Sequence, residues 1–156
     1  MTSDDALAFD RHLDATAPDV ADIARALRLT VLEGFPDAVA FDRYLETSAP
    51  TVAEAARALR LVVLEGFPGG VETFDPADGL LAIGTGRSMR AFSFAIIPHK
   101  AHVNLQLADG VDLPNPDGHI EGTGKRVRHV KVRSVEDARA PWVRAAIAAQ
   151  LAYRSG

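Results

Sequence analysis

Apolar residues in the first half of the chain recur with the period of a helix. The positions 52, 55, 56, 59 and 63 are all apolar, and this spacing places them along one side of a helix. Phe41 and Leu45, four residues apart, form a shorter apolar pair before them. Pro50 stands between the two segments and suits the first position of a helix, where its missing N–H is not needed. The pattern predicts a helical hairpin with a short first helix and a longer second one.

This hairpin is encoded twice. Residues 9–40 and 41–72 align at an offset of 32, and 21 of the 32 aligned pairs are identical. Agreement of this extent indicates a tandem duplication, either natural or engineered. The first copy carries the matching apolar stripe at Val20, Ile23, Ala24, Leu27 and Val31.

The ends and the polar sides of the longer helices are also predicted. We expect Gly34 and Gly66 at the left-handed position that ends a helix, with Pro36 and Pro68 preventing its continuation. The arginines at 25, 28, 57 and 60 are expected on the solvated sides.

From Gly69 onward the apolar period changes to two, which is typical of strands. Short connections between these segments favour antiparallel neighbours. Ser134 is expected to cap a final helix that restarts at Pro141, with its apolar stripe at Trp142, Ala145, Ala146 and Ala149. The predicted class is therefore α+β, with N-terminal helices, an antiparallel sheet of about five strands and a C-terminal helix. The strand candidates are residues 71–74, 80–83, 90–97, 102–107 and 128–133.

Charge divides the chain into two halves. Residues 1–78 hold 15 acids and 6 bases, a net charge of −9, whereas residues 79–156 hold 6 acids and 11 bases, a net charge of +5. The simplest explanation of this division is that the first half forms solvated helix faces and the second half contains a basic strand. The functional alternatives are that the acidic half binds cations and that the basic half binds anions. The overall net charge of −4 argues against a nucleic-acid partner.

Several classes of site and location are excluded or disfavoured. The chain has no Cys, which excludes disulfides, thiolate metal sites and Cys nucleophiles. It has no apolar run long enough to span a membrane and begins without a basic signal region, so we expect a cytoplasmic protein with no membrane partner. It lacks the G-x-S-x-G motif of serine hydrolases, and a zinc site at His99 and His102 lacks nearby Cys or carboxylate ligands.

The segment 122–125, Gly-Thr-Gly-Lys, is the first candidate for ligand binding. It is not a Walker A loop, because the spacing differs and Arg126 stands where Ser or Thr is required. Two glycines nevertheless allow consecutive N–H groups to form an anion-binding nest. A simple turn into a basic strand is the alternative. The predicted ligand-binding residues are Lys100, His102, Gly122, Thr123, Gly124, Lys125, Arg128, His129 and Lys131.

The acids of the short helices are the second candidate. Asp10 and Asp14 are four residues apart, as are Asp42 and Glu46, so each pair would lie on one helix face. Carboxylate oxygens are hard ligands, and each pair could share a cation. A solvated face is the alternative.

The segment 113–134, LPNPDGHIEGTGKRVRHVKVRS, resembles the signature of the YdhG-like domain family, a domain of unknown function. The matching features are Leu-Pro-x-Pro-x-Gly at 113–118, Glu-Gly-Thr-Gly-Lys at 121–125 and Arg-His-x-Lys at 128–131, with PHKAHVNL upstream at 98–105. The family's Trp-Gly-x-Pro is replaced here by Phe74-Asp75-Pro76. The resemblance implies a frataxin-like α-β-α fold. Because some members are described as iron chaperones, it also implies iron as a ligand of the acidic first helix.

The family needs only one hairpin. We therefore expect residues 1–40 to be an extra copy and residues 41–156 to form the YdhG-like domain, since the connection 66–70 to the first strand is short. The spare copy would stack as an extra layer or form a homodimer, because an exposed apolar face of that size tends to find a partner. The expected function is non-enzymatic binding of a small ligand or metal ion, with iron implied by the resemblance. The alternatives are small-anion or phosphometabolite binding and a protein-interaction module built on the hairpin.

Overall fold

A computed structural model describes residues 35–156. Two helices come first, α1 (Pro36–Leu45) and α2 (Pro50–Gly66). Five strands follow, and after the fourth the chain makes a short 3-10 turn, Gly110–Asp112. Two helices close the chain, α3 (Val135–Ala138) and α4 (Pro141–Ser155). The strands are β1 (Val71–Asp75), β2 (Leu80–Gly84), β3 (Phe92–Pro98), β4 (Val103–Leu107) and β5 (Arg128–Val132).

The five strands form one antiparallel sheet in the order β1-β2-β3-β4-β5. The first three connections are too short to cross over another strand, and the long loop between β4 and β5 also brings β5 beside its predecessor. The α+β class, the antiparallel sheet of five strands and the C-terminal helix are confirmed.

One face of the sheet forms the core with the helices. Along the row Phe74, Leu81, Ile96, Leu105 and Val130, neighbouring strands pair residue against residue. These side chains join the apolar stripe of α2 in a single cluster. The stripe predicted for the second copy, at positions 52, 55, 56, 59 and 63, is buried throughout. The second copy of the hairpin therefore packs on this face of the sheet.

The α1 helix begins at Pro36, earlier than the repeat boundary suggests. The repeat places Phe-Pro at both 35–36 and 67–68, but Asp37-Ala38 follows the first pair and Gly69-Gly70 follows the second. Two glycines disfavour a helix, so the second site becomes a turn into β1 while the first continues as α1. A side chain at Gly70 would also lie 2.8 Å from Ile83 Cγ2. Pro36 thus stands in the first turn of a helix, and the end of the helix expected before it lies outside residues 35–156.

Three local expectations were wrong. Gly66 is the last residue of α2 and is absent from the glycines with positive φ in residues 35–156, so it is not a left-handed cap. Arg57 and Arg60 are half-buried ion-pair partners of Asp42 and Glu72, not a solvated side. The buried side of α4 is rotated by one residue, because the branched Val143 and Ile147 occupy the core. Its Ala145 is exposed.

Candidate functional site

The outer face of the sheet, opposite the helices, carries polar side chains on β4 and β5. Gln106 lies opposite His129 across the two strands, and Asn104 lies opposite Lys131. Residues directly opposite one another have Cβ atoms about 5 Å apart. Alternation along β4 places His102 on this same face. We call His99, His102, His129, Lys131 and Glu121 the outer-face cluster.

Two histidines at one end of this cluster stack on each other. The rings of His99 and His102 lie 4.8 Å apart at an interplanar angle of 23°. The turn that brings them together is closed by the His99 N–H, which donates to the His102 carbonyl at 2.8 Å. Burial lowers the pKa of His102, and the nearby His99, Lys131 and Arg133 lower it further. His102 is therefore held neutral near pH 7.

The third histidine of the cluster, His129, lies on β5 opposite Gln106 of β4. Burial has the largest influence on the pKa of His129 and lowers it. The Glu121 carboxylate raises this pKa, whereas the positive charge of Lys131 and the nearby His99 lower it further. The net pKa lies below the usual histidine value, so this ring too is neutral near pH 7. Because His99 influences both of the other rings, the three histidines belong to one electrostatic group.

Glu121 supplies the carboxylate of the cluster. Backbone hydrogen bonds of 2.8 and 2.9 Å join Glu121 and His129 in both directions, so this residue lies beside the free edge of β5. Its Oε1 is 3.6 Å from Lys131 Nζ and 4.0 Å from His129 Nε2. Both distances exceed a normal charge-assisted hydrogen bond, and the Glu121 side chain is 46% exposed. At these distances the carboxylate is an ion-pair partner of Lys131 that also lies near the His129 ring.

The Gly-Thr-Gly-Lys segment reaches this cluster at its first residue. Gly122 has a φ of +118°, and a side chain there would lie 3.3 Å from His129 Nδ1. Thr123, Gly124 and Lys125 are exposed beyond it. Arg128 turns away, since its Nε donates to the Gly124 carbonyl at 2.9 Å. Lys100 is exposed in the β3–β4 turn, between His99 and His102.

A second Gly-Thr-Gly segment, residues 84–86, does not face the first. It begins at the last residue of β2, whereas Gly122 lies beside β5, and both β3 and β4 stand between them. Three strand spacings amount to about 14 Å. Of the predicted ligand residues, the structure therefore brings together His102, His129, Lys131 and Gly122.

A buried carboxylate that sequence reasoning missed lies after β4. Asp109 is 1% exposed and accepts hydrogen bonds from Arg126, from Gln150 Nε2 at 2.8 Å and from Arg154 Nε at 2.6 Å. Burial raises the pKa of Asp109, but these three donors together hold it below its usual value. The partners are far away in sequence, so no spacing signal could have identified them. This network fastens the end of α4 to the sheet.

The predicted acidic site is only partly described. Asp10 and Asp14 lie outside residues 35–156. Asp42 is buried, and its Oδ1 accepts from Arg57 Nε at 2.6 Å, while Oδ2 lacks a hydrogen-bond partner in the described part of the chain. Glu46 is exposed at the end of α1. Within residues 35–156, no group of three or more His, Asp or Glu side chains could hold a metal ion.

Comparison with known proteins gives no relative, because no family model, curated protein or solved structure matches this chain. No helix in residues 35–156 is long and apolar enough to cross a membrane.

Proposed function

We propose that the outer-face cluster binds a small anion, such as a phosphorylated or carboxylated metabolite. The observation that carries this proposal is the convergence of Lys131 and His129 on one exposed carboxylate, Glu121, with His102 close enough to Lys131 for the two side chains to interact electrostatically. Glu121 occupies the position that a ligand's oxygens would take. A ligand with two or more anionic oxygens would displace it, because such a ligand can contact Lys131 and His129 together at hydrogen-bonding distance.

The positive side chains beside the histidines favour an anion over a metal cation. Neutral imidazole can donate one hydrogen bond to an oxyanion, and it can also take up a proton once the anion is present. Arg133 adds a further positive charge that already acts on His102. The positive charge of Lys131 and Arg133 opposes cation binding at the same place.

The iron hypothesis receives less support from the described residues. Two of its four carboxylates, Asp10 and Asp14, lie outside them, and Asp42 is paired with Arg57. We keep membership of the YdhG-like family and a frataxin-like fold as proposals, supported by the helices–sheet–helix order of the chain. Ferrous iron under anaerobic conditions is accordingly a comparison arm in any ligand screen.

A thermal-shift screen with phosphate, nucleotides and organic acids tests the proposal, since a ligand stabilises the folded state according to its affinity. We expect an increase in Tm with at least one anion class and its loss in Lys131→Gln. Arg144→Gln is the matched control, because it removes the same charge from α4 in the helical layer. Glu121→Gln should strengthen binding by removing the internal competitor. If Lys131→Gln and Arg144→Gln reduced the anion-induced increase in Tm equally, the anion would be attracted by the overall charge and not by the outer-face cluster, and the proposal would be contradicted.

A further inference from the structure

Three of the five large apolar side chains that are exposed in residues 35–156 lie at one end of the sheet. Met89, in the loop between β2 and β3, is 83% exposed. Val111, in the turn after β4, is 42% exposed, and Tyr153, near the end of α4, is 47% exposed. The two loops leave the sheet at the same end because β2, β3 and β4 are antiparallel neighbours. Single apolar side chains are ordinary on a surface, whereas a group at one end indicates a place of contact.

Hydrogen bonds from α4 hold the segments of this end together. Arg154 Nη1 donates to the Arg90 carbonyl in the β2–β3 loop at 3.1 Å. The hydroxyl of the neighbouring Tyr153 donates to Asp112 Oδ2 at 2.9 Å, directly after Val111. This surface is therefore formed before a partner arrives, and less conformational entropy is lost when the partner binds.

The same end is strongly basic. The Val111 N–H donates to the Arg126 carbonyl at 3.0 Å, so the segment before β5 also belongs to this end. Arg90 is exposed, and its side chain pairs with no carboxylate in residues 35–156. Six bases and two acids lie in the four segments that meet here, residues 85–91, 108–113, 124–128 and 152–156. We call these four segments the basic end. Its excess of positive charge contrasts with the net charge of −4 of the whole chain and favours an acidic partner.

We propose that the basic end binds an acidic segment of a partner protein. Five of its six bases are arginines, and a guanidinium group can donate two parallel hydrogen bonds to one carboxylate. Tyr, Met and Arg are enriched in protein–protein interfaces, whereas Lys is depleted. The carboxylates of the partner would pair with Arg90 and its neighbours, while apolar side chains of the same segment would pack on Met89 and Val111.

A protein segment fits this surface better than an anionic membrane does. The Asp112 carboxylate lies among the apolar side chains, since it is bonded to Tyr153 and follows Val111 in the chain. An anionic headgroup layer repels this charge, whereas a protein partner can supply a hydrogen-bond donor for it.

The basic end is separate from the outer-face cluster. His99 and His102 of that cluster lie in the β3–β4 turn, at the opposite end of the sheet. The two surfaces can therefore be altered one at a time.

Selection of random peptides displayed on phage, with the full chain as bait, tests this. Asp and Glu should be enriched in the selected peptides relative to the starting library, together with apolar residues. Fluorescence anisotropy then measures the Kd of a selected peptide in synthetic form. Arg90→Gln should raise this Kd about tenfold or more, and Met89→Ser should also raise it. Both side chains are exposed, and Arg154 bonds to the Arg90 carbonyl, which the substitution retains, so the Tm should stay unchanged.

Arg43→Gln is the matched control, since it removes the same charge from an exposed position in the last turn of α1. It should leave the Kd unchanged. Selection without enrichment of acidic residues would overturn the proposal, as would a Kd that Arg90→Gln leaves unchanged or that Arg43→Gln raises equally. Vesicles of phosphatidylcholine and phosphatidylserine are the second probe. Sedimentation with these vesicles that is lost in Arg90→Gln, without selection of acidic peptides, would assign the basic end to a membrane and overturn a protein partner.

Discussion

Arg154 donates to Asp109 Oδ2 at 2.6 Å and thereby joins the end of the last helix to the loop after β4. The same guanidinium also donates through Nη1 to the Phe92 carbonyl at 2.7 Å. Gln150 completes the connection, since its amide both donates to the Asp109 carboxylate and accepts from the Asp109 N–H. This buried contact closes the helical layer onto one end of the sheet.

The first prediction concerns the charge at this contact. Asp109→Asn should lower the free energy of unfolding by about 2 kcal/mol, because it leaves the buried Gln150 amide and the two guanidinium groups of Arg126 and Arg154 with a weaker acceptor. Urea denaturation measures this change. Asp112→Asn, which alters an exposed carboxylate bonded to Tyr153, should have a much smaller effect. Equal effects of the two variants would mean that the buried Asp109 carboxylate contributes no more to the stability of the fold than the exposed Asp112.

The second prediction is a loss of stability in mild acid. The folded state lowers the pKa of both His102 and His129 below 6.5, so the unfolded chain binds protons first as pH falls. Stability should therefore decrease from about pH 6.5 downward through the two lowered pKa values. Urea denaturation at several pH values below 7 gives the free energy of unfolding as a function of pH. In His102→Gln and His129→Gln this free energy should depend less on pH than in the unaltered protein. A stability that rises toward pH 5 would contradict the burial of these rings. The contribution of Asp109, whose pKa is also lowered, is lost in a separate window below about pH 3.8.

The third prediction concerns the packing around Ala55, where the first copy of the hairpin carries Ile23 in its sequence. Ala55→Ile gives the second copy the residue of the first and should cost about 1–3 kcal/mol through overpacking. Ala145→Ile makes the same change at an exposed site of α4 and should change stability by less than about 0.5 kcal/mol. Chemical denaturation of both variants gives the comparison. A neutral Ala55→Ile would show that the core around this position has room for the larger side chain.

The fourth prediction concerns the turn between β1 and β2. Gly79 has a φ of +63°, and a side chain there would lie 2.3 Å from the Tyr44 hydroxyl, whereas Gly118, with a φ of +74°, has open space around it. Gly118→Ala should therefore cost only the backbone strain, about 1 kcal/mol, and Gly79→Ala should cost more. Thermal unfolding of both variants separates the cost of the backbone strain from the cost of the contact with Tyr44. Equal losses would show that Tyr44 does not restrict this turn.

The strands and the buried side of α2 could be predicted from the sequence because each depends on local periodicity. The α4 stripe was displaced by one residue because Val143 and Ile147 fill the core, while Trp142 packs at the border of the core and stacks on His119 of the long loop, with ring centroids 4.3 Å apart. The Asp109 network could not be predicted, since its partners come together only in the folded chain. The outer-face cluster was predicted in part. The alternation of β5 identified His129 and Lys131, but the approach of Glu121 depends on the path of the loop.

The most direct test of anion binding at the outer-face cluster is calorimetric titration with the anion class that stabilises the protein, at pH 7 and at pH 6. Binding should be accompanied by proton uptake, because an anion beside His102 and His129 raises their pKa values, and it should be tighter at pH 6. Lys131→Gln should weaken it at both pH values, while Arg144→Gln should not. Binding that is absent, or that is independent of both pH and Lys131, would contradict the account.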